Sequence, residues 1–391
     1  MKRLFSSLLF KVFIAIVLGI VFGQYLPESI NRIFTTFNAF FGQFLSFSIP
    51  LIIMGLIMPA ISDLGKGAGK LLLITALIAY GSTLFSGFMT YFTASSIFPQ
   101  LLESHVNNTD QITDSGIELT PYFSITIPPV IDVMSALVLA FIIGLGLSFQ
   151  EKSSLKLVVK DFQNIIMQLI ENVIVPLLPL FILGIFVSMS FSGKVLSILT
   201  VFLSIIGVIF ALHILLLLLQ YTIAGLLTKR NPLKLLATMM PAYFTALGTQ
   251  SSAATIPVTL EQTLKNGVSD KIAGFVIPLC ATIHLSGSIM KITACAMALM
   301  ILQGVPYSFT LFAGFIFVLG IAMIAAPGVP GGAIMAAVGI LQSMLGFNED
   351  MLGLMIALYI AMDSFGTACN VTGDGAISLV VDKITREKIV A

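Results

Sequence analysis

Apolar runs of about 20 residues or more recur along this chain, and a bilayer core about 30 Å thick is crossed by runs of that length only as helices. The clearest lie near 8–26, 37–61, 70–94, 129–149, 157–189 and 195–227. In hydrocarbon every backbone N–H and C=O needs an internal partner, which leaves helices and closed barrels. Barrel strands would alternate over about 10 residues, and these runs do not. Charge agrees: 9% of the 391 residues are Asp, Glu, Lys or Arg, where a soluble domain has roughly one in four. The expectation is an all-α integral membrane protein. Met1-Lys2-Arg3 leads into a run too long for a signal peptide, read here as the first transmembrane helix. A net charge of +1 points to no nucleic-acid partner. Cys280, Cys295 and Cys369 lack CxxC spacing and read as small packing residues.

From about residue 234 the apolar segments carry Pro, Gly, Ser and Thr in their interiors, as in Gly248–Pro257 and Pro327–Gly332. Proline removes a backbone donor and glycine costs about 1 kcal/mol in a helix relative to alanine. Broken backbone at membrane depth survives only where protein buries it or a cavity receives it. The pattern predicts two helical hairpins that enter and leave on one side, about 234–265 and 309–346. An interrupted helix, about 270–302, lies between them, and a last helix, about 350–381, follows. Paired interruptions of this kind mark a transporter site near the membrane midplane.

With the N-terminus cytoplasmic, Lys66, Lys70, Lys152, Lys156, Lys160, Lys229, Arg230, Lys234, Lys265, Lys271, Lys383, Arg386 and Lys388 fall inside, and Arg32 and Lys194 outside. This is the positive-inside pattern, with both termini cytoplasmic. Residues 95–128, acidic and free of Lys and Arg, are expected to form a mobile extracytoplasmic loop.

The last helix holds the most informative chemistry. Ionisable groups at membrane depth cost at least a few kcal/mol, so Asp363 and Asp374 should face inward. Asp374, in Asn370-Val371-Thr372-Gly373-Asp374, suits a hard monovalent cation, its carboxylate joined by carbonyls freed in an irregular glycine turn; the alternative is a kink with a solvated acid. Thr367 and Asn370 fall at i+4 and i+7 from Asp363 and share its face. That face either receives a substrate ammonium or clamps two helices. Ser251, Ser252 and Thr255 offer hydroxyls and N–H groups to a carboxylate. The turn of Gly328, Val329, Pro330, Gly331 and Gly332 can close over a ligand. His284 is either a proton-coupling group or a packing histidine. Lys291 is too deep to snorkel and needs a partner or a function.

Taken in order, Gln250–Thr259, Pro278–Ile283, Gly328–Gly332 and Asn370–Asp374 resemble the dicarboxylate/amino acid:cation symporter family, the glutamate transporter homologues. The resemblance implies eight transmembrane helices, two re-entrant hairpins, inverted repeats, a homotrimer and an elevator-type mechanism in an inner (plasma) membrane. Scaffold helices would occupy 1–69 and 129–189. The moving unit would comprise 70–128 and 195–391. It further implies that Ser251, Ser252 and the Gly328–Gly332 loop gate and bind substrate, with Asp363 taking its amino group and Thr367 and Asn370 its polar ends. One sodium site would use the Asp374 carboxylate with carbonyls of Cys280, His284 and Asn370. A second would use carbonyls of Thr282, Met323, Ile324 and Ala326.

Two departures refine this. Members that take acidic substrates carry an arginine three residues after the Asp363 position or at the start of the hairpin serine motif; here these positions are Gly366 and Gln250. A substrate side-chain carboxylate would lack its bidentate partner unless Lys291 supplied the charge. The block His284-Leu285-Ser286-Gly287-Ser288 lacks the acid of a third sodium site, although Ser82 and Thr83 match its hydroxyls. The expectation is a sodium-driven symporter for a small neutral amino acid, without an enzyme cofactor. A proton-coupled carrier, an acidic amino acid or dicarboxylate carrier, and an anion-permeable channel are the alternatives. No nucleophile–base set indicates an enzyme.

Overall fold

A computed structural model describes residues 8–63, 69–109, 119–150, 153–193, 195–326, 328 and 330–390. Among them the regular structure is helical. The first helices are α1 (Leu8–Tyr25), α2 (Glu28–Asp63), α3 (Gly69–Thr109) and α4 (Val133–Ser148). Next, α5 (Ser154–Leu169) runs through a π turn (Ile170–Ile174) into α6 (Val175–Phe191), followed by α7 (Val195–Thr228). Six described helices are long and apolar enough to cross a membrane, and a bent pair near the C-terminus makes a seventh. The helix α4, at 16 residues, is shorter than the expected 129–149.

Beyond α7 the elements shorten. The first hairpin is built from α8 (Pro232–Thr238) and α9 (Met240–Thr249), which reverse into α10 (Ser252–Lys265). Asn231 caps α8 by accepting the Lys234 N–H at 3.1 Å, and Pro232 takes the first-turn position where no donor is needed. The interrupted helix is α11 (Asp270–Ile283) and α12 (Ser286–Leu302), with His284 and Leu285 outside helical geometry. The second hairpin is α13 (Phe309–Ala325) and α14 (Gly332–Leu345), and the chain ends in α15 (Glu349–Ala361) and α16 (Asp363–Val390).

Two expectations need correction. The break in the last helix falls at Met362, where α15 and α16 meet at 61°, and not at the glycine turn near Asn370. Residues 370–374 are continuous helix, and Gly373 serves packing instead, lying between the Gln220 amide and the His284 ring with no room for a side chain. The segment 95–128 is also not one loop. The third helix runs to Thr109, and residues 119–132 lie pinned along α2. Arg32 donates to the Thr120 carbonyl at 2.9 Å, the Tyr122 N–H to Thr36 Oγ1 at 2.9 Å, and the Tyr122 hydroxyl to the Ser29 carbonyl at 2.7 Å. Polar side chains on α2 therefore hold these residues; 110–118 fall outside the described residues.

Burial sorts the helices into an outer and an inner set. Phe13 on α1, Ile142 on α4 and Leu226 on α7 are 61%, 64% and 73% exposed, as expected for side chains that meet lipid. Every residue from Ser286 to Met300 of α12 is buried, as is every residue from Met351 to Ile360 of α15. Helix α12 packs against α3 and α16, and α16 also meets α7, α9, α10 and α11. The broken elements thus surround the acidic helix.

Candidate functional site: two buried acids on one helix

Helix α16 begins at Asp363, directly after the Met362 bend. The bend aims the carboxylate at the tip of the second hairpin, where Asp363 Oδ2 accepts the Gly331 N–H at 2.8 Å. Gly331 has φ +76°, left-handed backbone that glycine adopts without strain. Asp363 Oδ1 accepts from Lys291 Nζ at 3.2 Å. The lysine side chain is fully buried on α12, with Nζ also 3.4 Å from the Met362 carbonyl and 3.7 Å from the centroid of the Tyr359 ring. Its stem crosses Gly366, and a Cβ there would collide with Lys291 Cε and Nζ. Lysine 291 is therefore paired, as its depth requires.

The two hairpin tips meet beside this pair. Ser251 Oγ donates to the Gly328 carbonyl at 2.9 Å and caps α10 by accepting the Ala254 N–H. Gln250, in left-handed backbone at φ +53°, donates to Ser364 Oγ at 3.2 Å. Thr255 is buried, with its hydroxyl on the Ser251 carbonyl at 2.8 Å and near Thr249 Oγ1. Ser252 and Thr367 are buried, at 4% and 6% exposure. Pro330 lies in the same turn, whereas Val329 is outside the described residues. Asn370 holds the start of α12: its Oδ1 accepts the Gly287 N–H at 2.7 Å and its Nδ2 donates to Ser288 Oγ at 3.1 Å. Here the amide clamps two helices.

Asp374 ends in a separate cluster. Its Oδ1 lies 2.8 Å from His284 Nδ1 in the helix break, and His284 Nε2 lies 3.1 Å from Ser82 Oγ of α3. Gln220 Nε2 on α7 donates to that serine at 3.0 Å. A carboxylate only accepts, so Nδ1 carries the hydrogen; Ser82 then donates to Nε2 while accepting from Gln220. The chain of hydrogen bonds is complete with a neutral imidazole. Tyr221 donates to the Thr372 carbonyl at 2.7 Å, while Gln220 Oε1 and Thr372 Oγ1 are buried without a hydrogen-bond partner. The Gln220 Oε1, packed over Gly373 next to Asp374 in the chain, is an unpaired buried oxygen of the kind a hard cation takes. Among the described residues no three His, Cys, Asp or Glu side chains gather as a transition-metal site would require.

Backbone carbonyls add to this region. Cys280 and Thr282 lie in the last turn of α11; the Cys280 carbonyl accepts the His284 N–H at 2.9 Å, while helix termination leaves the Thr282 carbonyl without an intrahelical partner. Met323, Ile324 and Ala326 lie where α13 ends, the Ala326 N–H closing on the Met323 carbonyl at 3.3 Å. Thr282, Ile324 and Ala326, with Gly328, line one cavity of about 260 Å³ whose other wall includes Leu56 and Met167. Sequence reasoning missed Gln220, Tyr221 and the Gln250–Ser364 contact. Gln220 and Tyr221 stand inside the apolar stretch of α7, where a polar side chain is itself the signal.

Comparison with known proteins agrees with this architecture. Residues 8–384 match the profile of the sodium:dicarboxylate symporter family. The serine/threonine transporter SstT of Acinetobacter baumannii is 27% identical across 97% of this chain and 98% of its own length. Excitatory amino acid transporter 5 of Mus musculus is 32% identical over 41% of this chain and 29% of its own length, and excitatory amino acid transporter 1 of Rattus norvegicus 31% identical over 42% and 30%. The chain belongs to the sodium:dicarboxylate symporter family, a family of membrane transporters and not of enzymes.

Proposed function

We propose that this protein is a secondary symporter that couples inward sodium movement to uptake of a small neutral amino acid. The observation that carries this reading is the state of the charges at the Asp363 end. Gly366 and Gln250 are uncharged, and the Lys291 ammonium is engaged by Asp363, the Met362 carbonyl and the Tyr359 face. A ligand with a second carboxylate would find no guanidinium at either position, and in the empty site the one cation present is bound to Asp363. The similarity to a serine/threonine transporter along nearly the whole chain supports the same substrate class.

In this reading Asp363 takes the substrate ammonium, and Ser251, Ser252, Thr255 and Thr367 supply its polar surroundings. The second hairpin tip, with Gly328, Pro330 and Gly331, acts as the lid. Asp374 binds one sodium with carbonyls of Cys280, His284 and Asn370, and Thr282, Met323, Ile324 and Ala326 supply a second site. The protein works as a homotrimer in an inner membrane, with both termini cytoplasmic, eight spanning helices and two re-entrant hairpins. The unit containing α3 and residues 195–391 moves against a scaffold of α1, α2 and α4–α6. Lys291 beside Gly366 favours one second reading, an acidic amino acid whose side-chain carboxylate takes the lysine from Asp363.

A thermal-shift screen of purified protein with sodium, potassium or choline separates them through ligand linkage. Serine, alanine or threonine should stabilise the protein, and only with sodium. Stabilisation by aspartate alone would overturn the neutral-substrate reading.

A further inference from the structure

The Asp363 carboxylate is satisfied before any ligand arrives. One oxygen holds the Lys291 ammonium, and the other holds the Gly331 N–H of the second hairpin tip. The neighbouring contact from Ser251 to the Gly328 carbonyl joins the two tips. The turn is thus closed over Asp363 with the acid's charge already neutralised from within the protein. Gly366 makes this possible, since any side chain there would occupy the volume of Lys291 Cε and Nζ.

We propose that Lys291 is a tethered stand-in for the substrate's ammonium group. The inference rests on reading Asp363 as the ammonium acceptor and the hairpin tip at Gly331 as its cover. A substrate ammonium must take Oδ1 from Lys291, which retains a carbonyl at Met362 and the aromatic face of Tyr359, both within reach of its present position. Two consequences follow. Competition weakens substrate binding, because only the fraction of carriers with Asp363 released is competent. The empty carrier closes without leaving a buried, unpaired carboxylate, which would otherwise be costly. It can therefore return empty, giving net uptake in place of obligatory exchange.

Two other roles for Lys291 predict different signs. A lysine that holds the substrate's carboxylate would strengthen binding. A purely structural ion pair would leave affinity unchanged. The test compares wild type with Lys291→Gln, which keeps a donor but loses the charge, and with Lys291→Arg, in proteoliposomes. The probes are alanine and lactate, which has a hydroxyl in place of the α-amino group.

In Lys291→Gln the affinity for alanine should rise about tenfold or more while that for lactate stays unchanged, the mark of a competitor removed. Net uptake should fall about tenfold relative to alanine/alanine exchange, and Lys291→Arg should retain net uptake. Weaker or unchanged alanine binding, or equal loss of exchange and net uptake, overturns the proposal. If Lys291→Gln does not fold, wild type decides: an ammonium that merely replaces another gains little, so alanine and lactate should differ by less than about tenfold. Rejection of lactate by about a hundredfold overturns the proposal. If wild type binds aspartate in place of alanine, the neutral-substrate reading fails separately, and the comparison is repeated with aspartate and malate.

Discussion

The two ends of α16 solve the same problem differently. Asp363 and Asp374 are both buried acids on one helix, and each is answered by a base from the same interrupted helix, Lys291 for the first and His284 for the second. At the Asp363 end the second partner is a backbone N–H in a glycine turn, joined to the rest of the site by a few hydrogen bonds at the hairpin tips. At the Asp374 end the hydrogen bonds run on from His284 to side chains of long helices, Ser82 on α3 and Gln220 on α7, and Tyr221 of α7 holds the Thr372 carbonyl. A turn can lift away, whereas packed helices hold their side chains in place. In the proposed reading the first end admits and releases an organic solute, and the second selects a cation by fixed oxygens.

The largest effect should come from separating the two acids. Asp374→Asn should weaken sodium-dependent stabilisation by about 3 kcal/mol, roughly a hundredfold in apparent sodium affinity. Asp363→Asn should abolish stabilisation by substrate while leaving that by sodium alone. Thermal shifts with each ligand measure both, and the same profile for both variants would erase the distinction. Next, Gln220→Leu should weaken sodium binding about fivefold to tenfold, since it leaves Ser82 short of a donor and removes an unpaired oxygen. Isothermal titration with sodium checks it, and an unchanged affinity would detach α7 from the cation end.

How far the sequence reveals this contrast follows from what each element rests on. Repeated apolar runs, and Pro and Gly inside later ones, suffice for the helices and the interruption near His284. The cost of intramembrane charge is enough to single out Asp363, Asp374 and Lys291. The bend at Met362 is not legible, because the glycines at 373 and 375 look like better breaking points; they serve instead to admit Gln220, His284, Tyr221 and Met239 against the helix. Nor can sequence spacing show that Lys291 reaches Asp363, because that contact joins separate elements across Gly366. The pinning of residues 119–132 was likewise hidden, since it depends on Arg32, Thr36 and Ser29 from another helix.

Smaller effects sharpen the comparison at its margins. Ser251→Ala removes both the tip contact to Gly328 and the α10 cap. It should cost about 1 kcal/mol, read as a several-fold faster release of substrate. Equal release rates would show that the tips are held elsewhere. Asp132, outside the site, caps α4 by accepting the Ser135 N–H at 2.9 Å. Asp132→Ala should lower stability by about 1 kcal/mol in thermal melts and leave transport unchanged. A transport defect there would mean that the α4 end communicates with the site.

The central claim, that sodium entry at one end of α16 drives a neutral amino acid bound at the other, is tested most directly by uptake into proteoliposomes. Under an inward sodium gradient, radiolabelled serine or alanine should accumulate above its outside concentration, and collapse of that gradient should release it. Accumulation of aspartate in preference to serine and alanine, accumulation driven equally well with choline and a proton gradient, or equilibration without accumulation would contradict the account.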